Sequence, residues 1–238
     1  MTTFGPLQAR IVGGELGDQH GTGGTVVVLF HGYGAPGDDL VPIARALDVS
    51  PSTRFVFPAA PHALEGGMDF SAFGMGAPRA WWHIDIGALE DALASGRQRE
   101  FLKEVPEGMR EAREQACALL DDVERTLQPS RIIVGGFSQG AMLATSITLE
   151  TDRKIDGLIA WSGTYLCEPI WKPRMPLRKG LRTLHTHGTH DPLLPHALAE
   201  KLAHDMKEAG VNAEFVSFRG QHQIPPIALQ RTEALLLG

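Results

Sequence analysis

The segment RIIVGGFSQGAMLATSITL, residues 131–149, changes character on either side of a single serine. The β-branched run RIIV predicts a strand, and AMLATSITL, which has almost no polar face, predicts a helix buried nearly all round. Between them, Gly136, Ser138 and Gly140 form a Gly-x-Ser-x-Gly pattern. A strand, a tight turn and a helix around this pattern are typical of a nucleophile elbow, where the serine is strained and the glycines allow close backbone approach.

Short apolar runs alternate with helical stretches along the rest of the chain. The runs are ARIVG, TVVVLF, RFVFP, RIIVGG, DGLIAWSG, LRTLHTHG and AEFVSF. Because they lack polar alternation, they favour a mostly parallel central sheet with helices on both faces, which is a doubly wound α/β fold. The opening segment 7–30 predicts two strands joined by a Gly-rich turn and antiparallel at one edge of the sheet.

One helix is predicted over residues 105–127, with Pro106 in its first turn. Its apolar positions step by three and four, which indicates one buried face. These positions are Met109, Ala112, Ala116, Leu119, Leu120, Val123 and Leu127.

The composition restricts the functional classes. The 238 residues include 22 Lys and Arg against 28 Asp and Glu, a formal charge of -6 with no block of like charges, which disfavours nucleic acid as a partner. The length favours one α/β domain over residues 1–238. Cys117 and Cys167 form no CxxC pair, and Cys117 is interpreted as a small core residue.

The N-terminus has no basic region followed by an apolar stretch, so no secretory signal is predicted. No apolar run approaches the roughly 20 residues that cross a bilayer as a helix. These features predict a soluble, cytoplasmic protein without integral membrane association. The sequence leaves the oligomeric state open.

A serine nucleophile needs a base and a carboxylate, and both are sought after later strands. Asp191 lies in a turn directly after LRTLHTHG, and His222 lies in a turn after AEFVSF. In a parallel sheet these turns share the edge that carries Ser138, so the three side chains are the candidate catalytic triad. Taken singly, Asp191 could cap a loop and His222 could be a surface histidine.

His185, His187 and His190 raise the alternative of a zinc site. His185 and His187 would share one face of a strand, but no third ligand at a suitable spacing supports a metal, and none is predicted.

Acyl transfer also requires donors for the oxyanion. The first candidate is the backbone N–H of Gln139, directly after the serine, and the second is the N–H of Tyr33 in HGYG, after the strand TVVVLF. An ordinary Gly-rich turn would have the same appearance.

An irregular aromatic and Met-rich loop region, about 62–96, is expected near the active site. The residues expected to contact an apolar acyl or aryl group are Phe70, Phe73, Met75, Trp81 and Trp82. The region could equally be a lid, a subunit contact or a cover over the core.

Several motifs in fixed order resemble the phospholipase/carboxylesterase family of α/β-hydrolases, which includes the acyl-protein thioesterases. They are LFHGYGAPGDDL, FPAAPH, RAWWHID, GGFSQGA, LIAWSG, HGTHDPLLP and GQHQI. The resemblance implies an α/β-hydrolase fold and a Ser-Asp-His triad, and its motifs fall on the same residues, Ser138, Asp191, His222, Gln139 and Tyr33. Trp82 and His83 replace a usual phenylalanine and aspartate, so the family's substrates are not carried over.

The resulting hypothesis is a serine carboxylesterase that forms an acyl-enzyme on small or medium apolar esters and needs no metal or other cofactor. The alternatives are an acyl-protein or acyl-lipid thioesterase or lysophospholipase, a peptidase or lactonase, and a non-catalytic binding protein on the same fold.

Overall fold

The computed structural model describes residues 1–14, 23–64, 76–97 and 102–238. Its centre is an eight-stranded sheet in the order β1-β2-β4-β3-β7-β8-β9-β10. These strands are β1 Thr2–Phe4, β2 Leu7–Gly13, β3 Thr25–Phe30, β4 Arg54–Pro58, β7 Arg131–Phe137, β8 Gly157–Trp161, β9 Arg182–Gly188 and β10 Asn212–Phe218. A separate antiparallel pair joins β5 His62–Ala63 to β6 Arg79–Ala80.

Helices cover both faces of the sheet. They are α1 Val41–Ala46, α2 Ile86–Ala94, α3 Met109–Leu127, α4 Gln139–Glu150, α5 Glu168–Trp171, α6 His196–Glu208 and α7 Pro226–Leu237, with a 3₁₀ helix at Lys172–Arg178. Successive residues of β7 face opposite layers, since Ile132 and Val134 pack with α3, α4 and α6, whereas Ile133 packs with α1 and α7. The α/β fold with a doubly covered sheet is therefore confirmed. Within the described ranges, no helix has the length and apolarity required to cross a membrane.

The strands from β4 to β10 in the sheet order are parallel, and β2 runs antiparallel to β4 and to β1. The antiparallel edge predicted for the opening segment is present, but β3 is not part of it. Instead, β3 lies in the middle of the sheet between β4 and β7. Its side chains are nearly all buried, as a central strand covered on both faces requires.

The predicted face of α3 is confirmed, because all seven of its apolar positions are buried. The predicted start at residue 105 is wrong: the helix begins at Met109. Gly108 has φ 83°, a left-handed conformation that interrupts helical backbone, so Pro106 lies in the turn before the helix. The prediction that α4 is buried nearly all round is also confirmed.

The helix α4 crosses the end of β3 at backbone contact distance. A Cβ added to Gly136 would lie 2.3 Å from the Phe30 carbonyl oxygen, and one added to Gly140 would lie 2.0 Å from the same atom. Because neither glycine carries a Cβ, the helix and the strand can cross at this short distance.

We predict that Gly140→Ala lowers the free energy of unfolding by about 3 kcal/mol, because backbone atoms would have to move to admit the methyl group. The matched control is Gly87→Ala on α2, where the nearest atom to an added Cβ is 3.5 Å away. The control should be neutral or stabilise by up to about 1 kcal/mol. Chemical denaturation of both variants measures the difference, and equal stabilities would contradict the close crossing.

A second prediction concerns His185 on β9, whose Nε2 is buried and has no hydrogen-bond partner among the described residues. Burial, and to a lesser degree the neighbouring His187, lower the pKa of His185 from 6.5 to about 4. Between these pH values the unfolded chain binds a proton that the folded chain does not, so this group destabilises the fold as the pH falls. His185→Leu should therefore gain stability relative to the wild type on going from pH 6.5 to about 4.

The control for this measurement is Thr183→Val. Thr183 lies two residues away on β9, is also buried, and has an unpartnered hydroxyl that does not titrate in this range. Thr183→Val should keep the pH dependence of the wild type. A His185→Leu curve parallel to the wild-type curve would show that His185 does not titrate on unfolding.

Candidate active site

Ser138 occupies the turn between β7 and α4 in a strained conformation, with φ 54° and ψ -118°. Its N–H donates to the Trp161 carbonyl at 2.9 Å, and its own carbonyl accepts from the N–H groups of Ala141 and Met142 at 3.0 and 3.2 Å. Non-glycine residues adopt positive φ rarely, at a cost of roughly 1–3 kcal/mol. The predicted elbow geometry is present, held by backbone hydrogen bonds on both sides of the serine.

Asp191 and His222 meet at the same edge of the sheet, in the turns after β9 and β10. His222 Nδ1 and Asp191 Oδ2 are 2.7 Å apart. The Asp191 side chain is fully buried, while 13% of the His222 side chain is exposed. A buried carboxylate on one ring nitrogen leaves the partly exposed ring to work through the other nitrogen.

The carboxylate of Asp191 accepts hydrogen bonds on both oxygens. Oδ1 accepts from the N–H groups of Leu193 and Leu194, each at 2.9 Å. Burial alone would raise the pKa of Asp191, but the hydrogen bonds from His222, Leu194 and Leu193 outweigh it, so the pKa lies below its usual value. The carboxylate is therefore charged and fixed in orientation.

His187 is a second histidine at this carboxylate. Its Nε2 lies 2.9 Å from the Leu194 carbonyl and 3.3 Å from Asp191 Oδ2. Because a carbonyl can only accept, Nε2 carries the proton, and His187 supports the loop that presents Asp191. From the sequence alone, His187 was considered only as a metal ligand; the signal for its actual contact was its position at the end of the strand that leads into the Asp191 turn.

In the described ranges, no three His, Cys, Asp or Glu side chains are grouped so as to hold a metal ion. His190 is exposed and pairs with the hydroxyl of Thr189 at 2.9 Å.

The ring of His222 lies against the elbow, with its centroid 4.8 Å from that of Phe137, the residue before the serine. The hydroxyl of Ser162 donates to the Gln223 carbonyl at 3.1 Å and anchors the His222 loop to the end of β8. Among the hydrogen bonds of the described residues, none joins the hydroxyl of Ser138 to His222. The structure therefore brings Asp191 and His222 into contact and places the imidazole beside the nucleophile turn.

The HGYG loop lies on the other side of the serine. A Cβ added to Gly32 would be 3.4 Å from Ser138 Cβ and 3.2 Å from Phe137 Cδ1, so the loop backbone packs directly against the serine turn. In the part of the chain that the structure describes, neither the Tyr33 N–H nor the Gln139 N–H has a hydrogen-bond partner. Two free backbone donors thus flank the serine.

The predicted substrate-contacting residues divide into three groups. Phe70, Phe73 and Met75 lie outside the described residues. Trp81 is fully buried behind the site, where its indole N–H donates to the His31 carbonyl at 2.9 Å. Trp82 lines a cavity of about 230 Å³.

The wall of this cavity is mainly apolar and belongs to segments that hold the site. Its apolar residues are Trp82, Ile84, Ala88, Pro106, Met142, Leu166, Leu194 and Pro195. Three of these residues are hydrogen-bonded to residues of the candidate site. The Met142 N–H donates to the Ser138 carbonyl, and the Leu194 N–H donates to Asp191. The Trp82 carbonyl accepts from the Gln139 side chain. The cavity therefore lies next to the segments that carry Ser138 and Asp191, although neither residue lines it.

Comparisons with known proteins agree with this architecture. Residues 18–236 match the model of a family described as Phospholipase/Carboxylesterase. Acyl-protein thioesterase 1 of Kluyveromyces lactis is 31% identical over 178 residues, 71% of each chain, and that of Emericella nidulans is 27% identical over 224 residues, 88% of each chain. The crystal structure of esterase PE8 superposes with a TM-score of 0.75 at 26% identity and covers 97% of each chain. The chain is an ester-bond hydrolase and belongs to the phospholipase/carboxylesterase family of α/β-hydrolases.

Proposed function

We propose that this chain hydrolyses carboxylic esters of small or medium apolar acyl or aryl groups through a triad of Ser138, His222 and Asp191. The observation that carries the proposal is the 2.7 Å contact between His222 and the buried carboxylate of Asp191, beside a serine in a strained elbow. A fixed carboxylate orients the imidazole and stabilises the imidazolium that forms during catalysis.

In the proposed reaction, His222 Nε2 removes the proton of Ser138 as the hydroxyl oxygen attacks the ester carbonyl. The tetrahedral intermediate collapses when the C–O bond to the alcohol breaks and His222 returns the proton to that oxygen. Water then attacks the acyl-enzyme with His222 again as base, and the acid leaves. The hydroxyl must turn toward His222 during this cycle, since active-site hydrogen bonds often form only in the complex with substrate.

The negative oxygen of the intermediate would be held by the N–H groups of Gln139 and Tyr33. Their freedom from other partners supports this role, as does the position of Gln139 at the N-terminus of α4, where the helix dipole is positive.

The cavity next to the segments that carry Ser138 and Asp191 supports an apolar acyl group of limited size. Its volume of about 230 Å³ is below the roughly 300–1,000 Å³ of pockets for drug-sized ligands. The polar residues that also line it are His83, Asp85, Glu104, Glu107 and Thr164. A neutral apolar acyl chain suits this cavity better than an anionic group, because three of these side chains are acidic.

A thioester substrate is the second candidate, favoured by the similarity to the Kluyveromyces lactis acyl-protein thioesterase 1. The ratio of kcat/KM for an oxygen ester and a thioester of the same acyl chain distinguishes the two. Activity on amides or lactones would point to a peptidase or lactonase, and complete inactivity to a binding protein. We further propose a small-molecule substrate rather than nucleic acid, no cofactor, and action in the cytoplasm.

Ser138→Ala should abolish hydrolysis of p-nitrophenyl butyrate, since the proposed acyl-enzyme forms on the Ser138 hydroxyl. Circular dichroism and denaturation should show an intact fold, because alanine keeps the Cβ of the serine. A fluorophosphonate probe should label only the peptide that contains Ser138, as read by mass spectrometry. Substantial turnover by the variant, or labelling elsewhere, would rule out this nucleophile.

The acyl-chain preference tests the cavity. A buried methylene contributes about 0.8 kcal/mol, so kcat/KM should rise about fourfold per carbon from p-nitrophenyl acetate until the cavity is full. Ala88→Trp, in the cavity wall on α2, should shift the optimum to shorter chains.

The matched control is Ala94→Trp, which is exposed on the same helix and does not line the cavity. It should keep the wild-type preference. A flat response to chain length in the wild type, or the same profile for both variants, would remove the acyl chain from this cavity.

A further inference from the structure

We propose that the side chains of His31, Trp81 and Gln139 act as positioning residues, a donor clamp that holds the two oxyanion-binding N–H groups at a fixed separation. The inference rests on the proposed function, in which Tyr33 and Gln139 supply those N–H groups. All three side chains are buried, with at most 1% exposure, and none has been given a part in the chemistry so far. The clamp connects two segments that are more than a hundred residues apart in the sequence.

The Gln139 side chain forms the first half of the clamp. Its Oε1 accepts from the Trp81 N–H at 2.9 Å, and its Nε2 donates to the Trp82 carbonyl at 2.8 Å. Both polar ends of the amide are therefore satisfied by the backbone of one dipeptide. The residue that offers one oxyanion donor thereby fixes the segment 81–82 against the start of α4.

The same segment holds the HGYG loop. The indole N–H of Trp81 donates to the His31 carbonyl at 2.9 Å. Two residues earlier, the backbone of Arg79 accepts from the Gly34 N–H at 2.9 Å and donates to the Ala35 carbonyl at 3.0 Å. Segment 79–82 is thus a spacer, hydrogen-bonded on one side to the loop of Tyr33 and on the other to Gln139.

His31 sets the orientation of the Tyr33 donor. The Ala60 N–H donates to His31 Nε2 at 3.0 Å, so this nitrogen carries no proton, and the proton of the neutral ring lies on Nδ1. Nδ1 in turn donates to the Gly32 carbonyl at 2.8 Å. Burial, the largest influence, lowers the pKa of His31 to about 4, which keeps the ring in this neutral form.

The Gly32 carbonyl and the Tyr33 N–H belong to one peptide unit. In a trans peptide the two groups point in opposite directions, and none of the described peptide bonds is cis. Because the imidazole holds the carbonyl, the Tyr33 N–H must point away from His31. Loss of the Nδ1 donor would leave this carbonyl with only the longer 3.3 Å hydrogen bond from the Ala35 N–H, so the peptide could rotate and withdraw the oxyanion donor.

The test compares His31→Asn with His31→Gln. The asparagine amide can place an N–H near the position of Nδ1, whereas the longer glutamine amide reaches the position of Nε2 and can only replace the acceptor for Ala60. Both variants lose the imidazole ring and its packing on Trp81 at 5.3 Å, so they form a matched pair. Only the glutamine variant lacks the hydrogen bond from residue 31 to the Gly32 carbonyl.

We expect His31→Gln to lose about 10²-fold in kcat with little change in KM, since one oxyanion donor is worth about 10²-fold to 10³-fold in rate. Its affinity for a trifluoromethyl ketone should fall in parallel, because this inhibitor forms an oxyanion when the Ser138 oxygen adds to it and His222 takes the proton. His31→Asn should recover most of both quantities. Denaturation curves of the two variants show whether a difference in stability accounts for the result.

Trp81→Phe gives an independent measurement if neither His31 variant folds. It removes the indole N–H and keeps an aromatic ring against Phe30, at a site where the centroids are 5.2 Å apart. It should lower kcat and ketone affinity together, with KM little changed. Wild-type values in Trp81→Phe, or equal values for the two His31 variants, would overturn the clamp. Turnover by Ser138→Ala would instead overturn the proposed function, so the two failures are distinguishable.

Discussion

The crossing of α4 over the end of β3 is the contact on which the rest of the site depends. The Phe30 carbonyl oxygen is too close to leave room for a Cβ atom on Gly136 or on Gly140, so helix and strand meet without side chains between them. The turn at Ser138, with φ 54°, lies at this contact, and the HGYG loop, which continues from β3, lies next to the serine. The strain at one residue is offset by the buried helix that follows it, where packing over many residues outweighs a local cost of roughly 1–3 kcal/mol.

A second layer of organisation comes from buried polar side chains that satisfy one another. Asp191 accepts hydrogen bonds from two backbone N–H groups and contacts both His222 and His187. The side-chain amide of Gln139 is hydrogen-bonded at both ends to the backbone of Trp81 and Trp82. Buried polar groups lower the stability of a fold unless they are paired, so such networks permit only one arrangement of the loops. The loops around Ser138 are thus rigid through hydrogen bonds, although they carry little regular secondary structure.

The candidate reacting groups and the cavity wall belong to different parts of the fold. Groups that would move protons or hold the oxyanion lie at the ends of β3, β7, β9 and β10, whereas the cavity wall is supplied by segments between strands, including the stretch with Trp82 and Ile84. These segments can change without altering the sheet edge. Members of a family that share one reaction can therefore accept different acyl groups.

Local patterns were enough to place seven strands of the main sheet, the buried helix α4 and the face of α3, but not the short strands β1, β5 and β6. Strand and helix periodicity depend on neighbouring residues alone. They also placed Ser138, Asp191 and His222 at one edge, since parallel strands bring their carboxyl ends together. Other features depended on contacts between distant segments. The adjacent tryptophans differ in position, since Trp81 is fully buried and Trp82 lines the cavity. Strand β2 pairs with β4 rather than with β3. The contacts of His31, His187 and the Gln139 side chain belong to the same class, because they arise only when remote segments pack together and their buried polar atoms must find partners.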